Sequence, residues 1–137
     1  MEEIDEKLLS VIKTDNYTRF MNMQCLEIKK GYAKYAMRIT KDMINFHQVA
    51  HGGAIFSLAD AAFAAASNSG NIRSLALVVE ISYRRPVKEG EMIFAEAKEE
   101  SDGRRTAVYK ITVSNEKGDI VALCQATVFR TGEKISE

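Results

Sequence analysis

Neither sign of charge dominates this sequence. Lys and Arg number 19, Asp and Glu number 19, and the net charge at pH 7 is zero. That balance leaves no electrostatic footprint for nucleic acid and no general attraction to an anionic membrane. No stretch is long and apolar enough to span a bilayer. The acidic start Met1-Glu2-Glu3-Ile4-Asp5 lacks the apolar core of a signal peptide. Cysteine is scarce: Cys25 and Cys124 stand far apart in strand-like segments. With no CxxC there is no redox or zinc-ribbon motif, and both are expected to be buried thiols of a reducing compartment. A cytoplasmic location is the default expectation. There is no P-loop, no G-x-G-x-x-G and no G-x-S-x-G around Ser57, which removes the usual phosphate cradles, dinucleotide folds and serine hydrolases. Repeats, linkers and low-complexity segments are also missing.

What is present is one domain's worth of chain. The 137 residues are 46% hydrophobic and 28% charged, enough to bury a core as a single domain over residues 1–137. Residues 1–20 read as an N-terminal helical extension, with an amphipathic helix over residues 3–13 that carries Ile4, Leu8, Val11 and Ile12 on one side. Strands are expected at 24–30 and 32–40, turning at Gly31; in the second, Ala33, Tyr35, Met37 and Ile39 share a face. Residues 41–52 read as a loop and Gly53 to about Asn68 as a helix with seven alanines between Ala54 and Ala66. Four strands follow at 74–83, 92–100, 105–114 and 119–130, with a hairpin turn at Asn115–Gly118. Gly132 to Glu137 read as a frayed tail. Strands pairing around one long helix make an α+β domain.

The central helix is the informative segment. Asp60 is the only Asp, Glu, Lys or Arg between Asp42 and Arg73. At 100° per residue, Ile55, Leu58, Ala62 and Ala65 lie opposite it, while Gly53, Ser57, Ala64 and Ser67 share its stripe. A carboxylate on a buried helix is costly without a partner; it either reaches solvent, caps a backbone amide or serves a function. Gly52-Gly53 at the helix start lets backbone N–H groups approach a ligand where the helix favours negative charge. That is the composition of an oxyanion hole, which acyl transfer needs together with a base or nucleophile. Eight residues of helix put Asp60 on the order of 10 Å from that turn, too far for one chain's pair to grip one carbonyl. Either the acid serves the glycine turn of a second subunit, or the two act on different parts of a ligand. His47 and His51, four apart, lack the H-E-x-x-H form and a third ligand motif, so no metal is expected. The pairs Arg84-Arg85 and Arg104-Arg105 read as surface residues or as grips for phosphate.

The run Asn45-Phe46-His47-Gln48-Val49-Ala50-His51-Gly52-Gly53-Ala54-Ile55-Phe56-Ser57-Leu58-Ala59-Asp60-Ala61-Ala62-Phe63-Ala64, with Asn68-Ser69 and then Tyr83-Arg84-Arg85-Pro86 and Gly90-Glu91, resembles the signature of hotdog-fold thioesterases of the phenylacetate-degradation (PaaI-type) branch. The joint spacing of Asn45, His51-Gly52-Gly53 and Asp60 carries the resemblance. It implies a long helix wrapped by a curved antiparallel sheet, a homodimer with sheets joined edge to edge and shared active sites, and pairing again into a homotetramer. It implies hydrolysis of an acyl-CoA substrate without a cofactor. By that resemblance Gly52 would offer its N–H to the thioester oxygen, Asn45 would place water or thioester, and His51 would shape the turn. Asp60 of the other subunit would activate water or attack the carbonyl. Gly53, Tyr83, Arg84, Arg85, Pro86 and Lys88, with Ser101, Gly103, Arg104, Arg105 and Thr106, would contact the CoA ester. Some relatives carry Ser or Thr in the strand after the helix to hold the water; the matching position here is Ala76. Two rivals remain: a hotdog hydratase or dehydratase, which would want a catalytic His in a Pro-rich loop whereas the one proline here is Pro86, and a non-catalytic acyl-CoA-binding hotdog protein, which would not need Asp60.

Overall fold

The computed structural model describes residues 1–137. The helices are α1 (Glu6–Ile12), α2 (Asn16–Phe20) and α3 (Gly52–Ser67), and the strands are β1 (Gln24–Lys29), β2 (Tyr32–Arg38), β3 (Ile72–Tyr83), β4 (Met92–Asp102), β5 (Thr106–Asn115) and β6 (Ile120–Lys134). All strands pair antiparallel in one sheet of order β1-β2-β4-β5-β6-β3. The expected architecture of one long helix against one antiparallel sheet is present.

α3 forms because alanine favours helix and nothing within the run breaks it. It lies on the inner face of β2, β4 and β5, where Ala33, Ala95 and Ala97 meet it without exposed surface. Small side chains on both partners let the backbones come close. Phe63 packs edge-on to Tyr109 at 5.7 Å between ring centroids, and Leu58, Ile93, Ile111 and Val113 belong to the same core.

The far end of α3 is stitched to the sheet. The Asn68 side chain donates to the Ala64 carbonyl at 2.8 Å and accepts from the Ser74 N–H at 2.8 Å. Arg130 donates to the Ser67 carbonyl at 3.0 Å, where the helix dipole favours a cation. Its other donors reach Ser74 Oγ at 3.0 Å, the Tyr109 hydroxyl at 3.1 Å and Asp102 at 2.8 Å. One guanidinium thus joins the helix end to β3, β4 and β5.

Several bounds differ from the sequence expectation. The segment expected as one helix over 3–13 begins only at Glu6, where the Asp5 side chain caps it by accepting the Lys7 N–H. A second short helix, α2, follows under an Asp15 cap. The loop over 41–52 contains a 3-10 turn at Lys41–Met43. β6 runs on to Lys134, so the tail expected from Gly132 is still strand there, and the Asn71 side chain holds Ser136 through its N–H at 3.0 Å and its carbonyl at 3.0 Å. β3, expected only as a strand over 74–83, lies at an edge of the sheet, and Leu75, Leu77 and Val78 are each more than half exposed.

Arg130→Met removes the cation that holds Asp102, Tyr109 and the Ser67 carbonyl. It should cost about 2 kcal/mol, the scale for losing hydrogen bonds to a charged group, because Arg130 is largely buried while Asp102 is exposed; the measure is a fall in ΔG of urea unfolding.

Candidate active site

The site begins at the first turn of α3. His51 is the cap residue: its N–H donates to the Met43 carbonyl at 2.7 Å, and its Nδ1 accepts the Gly53 N–H at 2.9 Å. Its carbonyl accepts from Ala54 at 2.9 Å and Ile55 at 3.4 Å. The early donors of the helix are thus satisfied within the turn except one. The Gly52 N–H has no acceptor on the chain, and it stands at the positive end of the helix.

Gly52 is held from the sheet side as well. The Tyr83 hydroxyl donates to its carbonyl at 2.9 Å. A Cβ on Gly52 would lie 3.1 Å from the Tyr83 oxygen and 3.2 Å from its ring carbon, so no side chain fits without moving the ring. Burial, with a smaller contribution from Cys124, pushes the Tyr83 phenol above its ordinary pKa and keeps it a donor at neutral pH.

Asp60 lies two turns along the same helix, about 12 Å from Gly52 at 1.5 Å per residue. It is partly buried, and no group on the chain hydrogen-bonds its carboxylate. Burial first, and the nearby Asp15 carboxylate second, push its carboxyl above the usual range. Gly53 and Ala64 on the same stripe are exposed. The stripe is covered at Ser67, which is buried, and partly at Ser57, whose hydroxyl donates to the Gly53 carbonyl at 2.8 Å and meets the Tyr17 hydroxyl at 2.9 Å. Asp15 and Tyr17 were missed in the sequence. The signal available was an acidic cap just before a short polar-aromatic run.

Asn45 stands in a pinched turn closed by the Ile44–Ala50 bridge. Its Oδ1 accepts the N–H groups of His47 at 2.8 Å and Val49 at 3.4 Å, while its Nδ2 donors have no partner on the chain. The His47 ring lies tilted against Phe46, 4.1 Å between ring centroids. No group of three or more His, Cys, Asp or Glu side chains converges in metal-holding geometry.

The two basic segments do not meet within one chain. Arg84, Arg85, Pro86 and Lys88 are exposed just before β4, and Ser101, Gly103, Arg104, Arg105 and Thr106 are exposed at its far end. Eleven residues of strand separate them by roughly 30 Å. Arg85 lies 4.0 Å from Asp119, and Arg84 reaches Ser82 Oγ at 3.4 Å. Gly103 has no room for a side chain, because a Cβ there would lie 2.5 Å from the Thr106 carbonyl oxygen. Ala76 is an exposed residue beside a bulge in β3.

A sequence model described as "Thioesterase superfamily" matches residues 47–122, which include the glycine turn, Asp60 and most of the sheet. The chain belongs to the thioesterase superfamily. An Archaeoglobus fulgidus protein named "Putative esterase" is 45% identical over 121 residues, covering 88% of this chain and 79% of that one. The Escherichia coli "Acyl-coenzyme A thioesterase PaaI" is 33% identical over 127 residues, covering 93% and 91%. The solved structure of that Escherichia coli PaaI protein superposes with a TM-score of 0.89 over 92% of this chain and 91% of its own. A Streptococcus mutans protein solved with acetyl CoA is 30% identical, with a TM-score of 0.80 over 84% and 93%. With the family come the hotdog fold and the thioester-hydrolase class that the signature run implied. No helix of this thioesterase-superfamily chain is long and apolar enough to cross a membrane.

The raised carboxyl of Asp60 has a stability consequence. The folded state holds that proton to higher pH than the unfolded state, so stability falls as pH rises between the two pKa values. At neutral pH the ionised Asp60 works against folding; below about pH 4 it is protonated in both states and neutral in effect. Asp60→Asn should therefore raise the urea midpoint at neutral pH, and the gain should vanish as the pH falls toward that range. A variant less stable than the wild type at neutral pH would mean that the carboxylate has a partner supplied by a second subunit.

Proposed function

We propose that this chain hydrolyses acyl-CoA thioesters at a site shared between two subunits. The observation that carries the reading is the pairing of one unsatisfied backbone donor, Gly52 N–H, with one isolated carboxylate, Asp60, on the same helix. The thioester oxygen accepts from Gly52, where the helix N-terminus favours the charge that develops on it. Asp60 of the partner subunit supplies the second element. As base, it takes a proton from a water that adds to the carbonyl carbon; as nucleophile, it adds to that carbon itself and forms a mixed anhydride, which a water then hydrolyses to free the carboxylate of Asp60. In either course the C–S bond breaks, the CoA sulfur leaves with a proton, and the acid is released. The Asn45 Nδ2 donors place water or thioester, and His51 holds the turn. The Escherichia coli relative is named an acyl-coenzyme A thioesterase and the Streptococcus mutans one was solved with acetyl CoA, which supports CoA esters as the substrate class. No cofactor is needed.

The sheet supports the two-subunit arrangement. β3 is twelve residues long, has β6 on one side and no strand on the other, and exposes Leu75, Leu77 and Val78. Such an edge invites a second strand. Thr106 and Leu75 both pair with Phe129, so the 101–106 turn is level with the start of β3; Tyr83 and Val113 both pair with Ala122, at its other end. Two β3 edges meeting antiparallel would bring Arg104 and Arg105 of one subunit to the same end of the joined sheet as Arg84, Arg85 and Lys88 of the other. Together they would hold the CoA phosphates. Two such dimers pairing again would give the tetramer.

Free-thiol release from short, medium, long and aromatic acyl-CoAs tests the activity. The wild type should release CoA, and Asp60→Asn should lower kcat by about 10⁴-fold. CoA esters that bind without release would replace the enzyme by a binding protein. The shared site has its own test. Asp60→Asn and Gly52→Ala chains, each inactive alone, should regain partial activity when unfolded and refolded together, because a mixed dimer contains one intact site. No recovery, with mixed dimers demonstrated, would place both groups in one subunit's site.

A further inference from the structure

Gly52 lies between two peptide groups, and every polar atom of both is engaged except the Gly52 N–H. In the first, the His51 carbonyl is held by Ala54 at 2.9 Å and Ile55 at 3.4 Å. In the second, the Gly53 N–H donates to His51 Nδ1 at 2.9 Å, and the Gly52 carbonyl accepts from the Tyr83 hydroxyl at 2.9 Å. The His51 contact belongs to the turn itself. Tyr83 comes from the end of β3, 31 residues away. Its ring fills the space that a side chain at position 52 would take.

The Gly52 N–H shares a planar peptide group with the His51 carbonyl, which the turn holds, and the soft dihedrals of glycine join that group to the next one, which Tyr83 holds from outside the turn. Tyr83 is half exposed, at 49%, so core burial does not account for its placement. We propose that Tyr83 is a positioning residue for thioester hydrolysis: by holding the Gly52 carbonyl it fixes the direction of the Gly52 N–H that meets the thioester oxygen. This rests on the reading of Gly52 as that donor. It differs from the CoA contact that the resemblance implies for Tyr83, because its action runs through the backbone of the turn and concerns the reacting carbonyl rather than the nucleotide.

Tyr83→Phe keeps the ring and removes only the donated hydrogen bond. The expected result is a fall in kcat of about 10–100-fold, the scale for a small misplacement at the reacting centre, with KM for the acyl-CoA within about twofold of wild type. Amide NMR on the same two proteins gives a readout independent of turnover: the Gly52 cross-peak should be single in the wild type and broadened or doubled in the variant. A raised KM at unchanged kcat would make Tyr83 a CoA contact and overturn the proposal. So would a variant with both constants unchanged. An unchanged Gly52 signal overturns it whether or not any ester is hydrolysed. If the wild type releases no CoA while the Gly52 signal broadens in Tyr83→Phe, the tether stands and the thioesterase reading is what fails.

Discussion

The alanines of α3 lie against alanines of β2 and β4, and that close approach sets the rest of the molecule. Ala62 of the helix and Ala33, Ala95 and Ala97 of the sheet have no exposed surface. Larger residues there would lift the helix away, as overpacking does in any dense core. Because α3 lies close, side chains from the sheet can reach both of its ends. Tyr83 reaches the first turn and Arg130 the last, while the helix's own cap residue Asn68 reaches Ser74 of the sheet. A helix fixed at both termini presents its remaining stripe, with Gly53, Ser57, Asp60 and Ala64, in a defined direction.

That stripe explains the electrostatics of the site. Asp60 combines partial burial, a second carboxylate nearby and no hydrogen-bond donor from its own chain. Burial without a donor disfavours the charged form. A single chain thus carries a raised-pKa acid at one point on a helix and an open amide at the other, too far apart to act on one carbonyl. On the proposed reading, a second copy brings the acid of one subunit and the amide of the other to a single thioester carbonyl.

The parts of this structure that were legible in the sequence are those fixed locally. The α3 run is helical by composition, and Asp60 stands out because no other charge lies near it in the chain. The Asn45, His51-Gly52-Gly53 and Asp60 spacing identified the family. What the sequence could not disclose depends on long-range pairing. The mostly apolar run of β3 does not say where in the sheet it lies; it pairs with β6 alone and stays at the edge. α2 has five residues, too few for a periodic signal, and is held by the Asp15 cap and the Tyr17–Ser57 contact. The arginine pairs look equivalent as text, but strand length sends them to opposite ends of β4. The Tyr83 bond to Gly52 spans 31 residues and has no local mark.

β3 has a further consequence for how the chain is made. Its one intrachain neighbour is the last strand, with Ile72 opposite Lys134 and Tyr83 opposite Ala122. Synthesis runs from the N-terminus, so β3 is made before β6, the one strand of the chain that pairs with it. During that interval a twelve-residue apolar strand has two bare edges, and pairings between distant segments are slow to form. The nascent chain is most exposed to mispairing in that window, and the final fifteen residues of strand end it.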